Sequence, residues 1–163
     1  MTPQLETLYR KHAPAILRFA WGLSGDRATA EDLVAETFYR LLVKAPRIET
    51  TTALAYLLAI TRNTWLTSRR RTNREVPLTD DFTFATADPD TTLDDRARLD
   101  AVRAELQNLP EGERAALLLR VDHELPYEDI AAALGTTVGA AKVRVHRARV
   151  RLATALQVQG REP

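Results

Sequence analysis

The chain of 163 residues contains no cysteine, which excludes a disulfide framework and a thiolate metal site together. Glycine is sparse, at 6, and no phosphate-cradling glycine loop appears. There is no Ser-His-Asp set and no convergent carboxylate pair, so an enzyme is the least supported class. Histidine is limited to His12, His123 and His146, far apart in the chain. His123-Glu124 is not followed by the second histidine of a zinc-protease motif, because position 127 is Tyr. No metal and no cofactor is assigned. No apolar run approaches the roughly 20 residues of a bilayer span, and the N-terminus lacks the charged-then-apolar pattern of a signal peptide. A cytoplasmic location is expected.

What remains is a globular composition, 45% hydrophobic and 28% charged, with charge unevenly placed. Residues 1–74 hold 12 Lys/Arg against 6 Asp/Glu, residues 75–113 hold 3 against 11, and residues 114–163 hold 8 against 5. Two basic blocks of +6 and +3 thus flank an acidic −8, in agreement with the overall +1. This asymmetry fits nucleic acid touching both ends of the chain, or simply solvated basic faces.

The apolar spacing is helical nearly throughout, with no internal repeat and no strand-like alternation. Leu5, Leu8, Tyr9, His12, Ile16, Phe19 and Leu23 form one stripe, which Ser24-Gly25-Asp26 ends. Thr29 and Asp32 have capping-box spacing before Leu33, Val34, Thr37, Phe38, Leu41 and Leu42. Pro46 closes that second helix. A third, from about Thr52 to Arg71, carries Leu54, Leu57, Leu58, Thr61 and Trp65. From about Thr72 to Asp95 periodicity fails among prolines and aspartates, the pattern of a linker. Leu99, Val102, Leu106 and Leu109 restart a stripe, followed by helices over Glu113–Val121, Tyr127–Leu134 and about Val138–Leu156. The expected fold is all-α: a helical domain over 1–74, an acidic flexible linker over 75–97, and a helix-turn-helix domain over 98–163.

The most specific segment is Tyr127 to Val138. Pro126 suits the first turn of a helix, Gly135 can take the positive φ of a tight turn, and Thr137 suits the next N-cap. Ile130, Leu134, Val138, Ala141, Val145, Ala148 and Leu152 supply a buried face. The opposite face of the second helix carries Lys142, Val143, His146 and Arg147, flanked by Arg144, Arg149 and Arg151. Such a helix enters the DNA major groove, where Arg and Lys meet guanine edges or phosphates and Val143 meets a thymine methyl.

Three stretches then resemble bacterial sigma factors. Glu31-Asp32-Leu33-Val34-Ala35-Glu36-Thr37-Phe38 resembles their core-polymerase-binding helix. Ala55 to Asn63 resembles the promoter-melting helix. Leu109 to Arg120, with the helix-turn-helix through Arg149, resembles the domain that reads the −35 element. Two such domains and nothing else is the plan of the extracytoplasmic-function (ECF) group. The resemblance implies an alternative sigma factor that binds core RNA polymerase, reads −35 and −10 elements and assists strand opening. It implies clamp contacts by Asp32, Glu36 and Phe38. Asn63 would capture a flipped −10 base, and Arg62, Arg69, Arg70, Arg71 and Arg74 would hold that strand. The −35 readers would be Lys142, Val143, His146 and Arg147, beside Arg144 and Arg149. Implied partners are the beta-prime clamp and beta subunit of core polymerase and promoter DNA. A cognate anti-sigma factor, which often holds family members inactive, is specified by no residue here. Ala140-Ala141 and Val143 stand where the family more usually has Thr-Val and Ser, and Ala35 where it often has Gln. Phe38, Tyr56 and Trp65 also read as core aromatics, with DNA stacking the other reading for Trp65. Two further functions fit parts of the pattern: a decoy that binds an inhibitor without DNA, and a repressor or activator that does not bind polymerase.

Overall fold

The computed structural model describes residues 3–75 and 92–160, with the side chains of 3–71 and 92–157. Within them lie seven helices: α1 (Pro3–Ser24), α2 (Arg27–Val43), α3 (Ala53–Glu75), α4 (Leu93–Asn108), α5 (Glu111–Val121), α6 (Tyr127–Leu134) and α7 (Val138–Gly160). None is long and apolar enough to cross a membrane. Most of the expected linker lies outside the described residues, but α4 begins at Leu93, inside the span expected to be irregular. Thr92 caps it, its hydroxyl accepting the Asp95 N–H at 3.2 Å.

Each boundary has a local cause. The capping-box reading of Thr29 and Asp32 is corrected: α2 starts at Arg27, and its N-cap is Asp26 in extended backbone. The Asp26 carboxylate accepts the Thr29 N–H at 3.0 Å, satisfying an orphan donor of the first turn. A bond from the Thr29 hydroxyl, followed by that from the N–H, holds the Asp26 carboxyl below the usual value. Between α6 and α7, Gly135 adopts φ 63° and caps α6, and the Thr137 hydroxyl accepts the Ala140 N–H at 3.1 Å. The turn therefore forms as the sequence predicts.

Helices α1, α2 and α3 pack as a bundle around Ile16, Phe19, Leu23, Leu57 and Leu58, each at most 1% exposed. Each contributes about 1.5–3 kcal/mol through removal from water. Helices α5, α6 and α7 enclose Leu119, Ile130, Ala141, Val145 and Ala148. These apolar groups belong to one continuous core, because α1 lies against α4 and α5 while α3 lies against α6.

Polar groups close the seam between the two halves. The buried Arg114 guanidinium donates to Leu23 O at 2.6 Å, and to the carbonyls of Leu106, Gln107 and Leu109. Burial pushes its pKa down, and the four carbonyls replace its lost water. Gln107 Nε2 donates to Gly22 O at 2.8 Å. The buried Asp129 carboxylate accepts the Thr51 N–H at 2.9 Å and also the Thr51 hydroxyl.

Candidate nucleic-acid interface

Helix α7 has two unlike sides. Ala141, Val145 and Ala148 are buried against α5 and α6, and Leu152 is half-buried. The three- and four-residue spacing that buries these turns Lys142, Val143, His146, Arg147 and Arg149 outward, and all five are exposed. Val143 is 46% exposed, an apolar residue left in water among cations. Arg144 departs from this set. It is half-buried, and a Cβ placed on Gly112 would lie 3.3 Å from its Nη1, so it leans on the start of α5. Arg151 reaches Glu113 at 3.1 Å.

On α3, Asn63, Arg69, Arg70 and Arg71 are exposed. The Arg69 guanidinium sits 5.3 Å from the Trp65 ring centroid, and Trp65 is half-buried against the core. The side chain of Arg74 lies outside those described. Arg62 requires a correction. Expected to hold DNA, it is buried, and its Nε and Nη2 donate to Glu111 at 2.9 and 2.7 Å. The cause is its register: Arg62 follows Leu58 by four residues, on the stripe that faces the rest of the protein, whereas Asn63 is turned about 100° away. A phosphate could reach Arg62 only if Glu111 moved.

On α2, Asp32 and Glu36 are exposed as expected, with Glu36 3.4 Å from Arg40. Phe38, expected beside them as a clamp contact, is instead buried, its ring 5.0 Å from that of Tyr9. Its position four residues after Val34 puts it on the core stripe. Tyr39, Leu42 and Val43 take the outward place, 59%, 61% and 59% exposed. The overlooked signal is the run Leu41-Leu42-Val43: three consecutive apolar residues cannot share one helical face. Asp32, Glu36, Tyr39 and Val43 recur at three- and four-residue spacing, so acidic and apolar groups form one exposed strip. Among the described residues no group of His, Asp and Glu could hold a metal ion.

Comparison with known proteins gives a consistent result across the chain. Residues 8–75 match the family described as Sigma-70 region 2, and residues 99–152 match Sigma-70, region 4. The chain is 36% identical over 150 residues to the ECF RNA polymerase sigma factor EcfG of Rhodopseudomonas palustris, covering 91% of this chain and 83% of that protein. It is 36% identical over 156 residues to the ECF RNA polymerase sigma factor SigE of Mycolicibacterium smegmatis, covering 92% of this chain and 60% of the relative. Among solved structures it is similar to the sigma factor RpoE in complex with the anti-sigma factor NepR from Bartonella quintana. The TM-score is 0.81 at 29% identity, over 96% of this chain and 99% of the other.

Proposed function

The chain belongs to the ECF sigma factors of the sigma-70 family, which direct RNA polymerase to promoters, and we propose that it reads two promoter elements with its two halves. The observation that carries this reading is the two-sided α7, sealed on one face and presenting Lys142, Val143, His146 and Arg147 on the other. That face reads the −35 element, with Arg147 and Lys142 on guanine edges or phosphates. Residues 98–163 supply this domain, and residues 1–74 supply the other. In the latter, Asn63 takes up a −10 base from the melted strand while Arg69, Arg70 and Arg71 hold its backbone. The strip of Asp32, Glu36, Tyr39 and Val43 docks on the polymerase clamp, its carboxylates giving orientation and its apolar groups giving buried area.

The two elements lie about 25 base pairs apart, roughly 85 Å at 3.4 Å per step. A chain of this length packed compactly has a radius of gyration near 15 Å and is about 40 Å across. The halves therefore separate to contact both elements, which parts Arg62 from Glu111. The complex of Bartonella quintana RpoE with an anti-sigma factor supports a cognate anti-sigma factor as a further partner.

Run-off transcription with core polymerase over a genomic library tests the proposal. Discrete transcripts sharing upstream −35 and −10 sequences are expected. Transcription no different from core polymerase alone would overturn it.

A further inference from the structure

Two helices of the helix-turn-helix half send a cationic side chain to one aromatic ring carried by a third. Tyr127 is the first residue of α6, directly after Pro126, and it is half-buried against the core. From α5, the Arg120 guanidinium carbon lies 4.5 Å from its ring centroid. From α7, the Lys142 ammonium lies 5.6 Å from the same centroid. Both distances fall within the range at which a ring's quadrupole attracts a cation. Arg120 is itself fixed, its Nη1 donating to Leu125 O at 3.0 Å. Among the described residues, neither Arg120 nor Lys142 belongs to an ion pair.

We propose that Tyr127 is a positioning residue for DNA reading, holding the Lys142 ammonium in place on the α7 groove face without neutralising it. The proposal rests on the assignment of α7 as the −35 reader. A lysine on an exposed helix face has a four-carbon stem with many rotamers, and ordering them on binding lowers affinity. A carboxylate partner would order the stem but cancel the charge and compete with phosphate. An aromatic ring orders it and leaves the positive charge available. Two cations gathered on one ring also repel each other, which raises the local positive potential and favours an arriving anion.

The first test needs no DNA. The chain has three lysines, Lys11, Lys44 and Lys142, so reductive methylation with carbon-13 gives few signals in an NMR spectrum, and Lys142→Arg assigns the one of interest. The Lys142 methyl signal should be shifted upfield by the ring in the native chain, relative to the same chain in urea. The shift should persist in Tyr127→Phe and vanish in Tyr127→Leu. A native signal at its denatured position overturns the proposal, even if Tyr127→Leu fails to fold.

The second test measures anisotropy of a short labelled duplex spanning the −35 region of a promoter recovered by run-off transcription. Tyr127→Leu should weaken binding about two- to fivefold, the range of an exposed cation–π contact. Tyr127→Phe should bind as the parent does. In a Lys142→Ala background, Tyr127→Leu should have no further effect. Equal losses in both backgrounds would mean a purely structural role and overturn the proposal. If instead Lys142→Ala leaves binding unchanged while the methyl shift is present, it is the −35 assignment of Lys142 that fails.

Discussion

Replacing Glu111 with alanine should open the molecule along the seam between its halves. Glu111 accepts two bonds from Arg62 at 2.9 and 2.7 Å, and the side chains are 18% and 9% exposed. At this range, and at the effective dielectric of a partly buried site, the Coulomb attraction is about 4 kcal/mol. Removing one partner of a buried pair costs about 3–5 kcal/mol, mainly because the remaining charge is stranded. Here the stranded guanidinium has an exit, since separation of the halves returns Arg62 to water. The loss is therefore expected to appear as opening before unfolding. At the lower end, about 3 kcal/mol moves the ratio of closed to open molecules by roughly a hundredfold.

Single-molecule energy transfer measures that ratio. The chain has no cysteine, so cysteines placed at the exposed Lys11 of α1 and Thr154 of α7 carry the only two dyes. Glu111→Ala should convert a narrow distribution into a broad one of lower efficiency. Glu111→Gln keeps an acceptor without the charge and should fall between. Replacing Arg62 and Glu111 together with leucine removes both charges and should restore most of the closure. An unchanged distribution in Glu111→Ala would refute the claim that this pair holds the halves together.

Four further outcomes are expected. Gly135→Ala should destabilise the chain by about 1–2 kcal/mol through left-handed backbone strain alone, because nothing lies within 4 Å of a Cβ placed there; a rise in the urea midpoint would contradict this. His12 and His123 are both held below the free imidazole value, first by burial, with Lys11 adding to the effect on His12; for His123, Asp122 opposes burial and Arg18 adds to it. The unfolded chain thus takes up protons that the folded one refuses, so stability present above about pH 6.5 is lost as pH falls below it, through the folded values. Urea midpoints at about pH 8 and about pH 5.5 should show the drop, and His123→Gln should lessen it. Arg147→Ala should weaken binding to a −35 duplex by about 1–3 kcal/mol if the contact is bidentate, and undiminished affinity would remove Arg147 from the readers. Asn63→Ala should impair strand opening more than duplex binding, and permanganate footprinting that finds normal melting would count against the base-capturing role.

The helices and the exposed basic face of α7 were legible in the sequence because they rest on local rules. Gly135 ends α6 since glycine alone enters φ > 0 without strain. Lys142, Val143, His146 and Arg147 face outward because the 3.6-residue period that buries Ala141, Val145 and Ala148 leaves them no other side. Where two capping side chains competed, Asp26 rather than Thr29 caps α2. The family resemblance carried Arg62 and Phe38 to DNA and polymerase by motif position, although their i+4 spacing from Leu58 and Val34 already placed them on buried stripes. What only the tertiary structure decided is the meeting of distant segments. Arg62 with Glu111, Thr51 with Asp129, and Arg114 with Leu23 O are separated by 49, 78 and 91 residues. No periodicity encodes such pairings. They depend on how two complete helical surfaces fit, and on buried polar groups that must each find a partner once water is excluded.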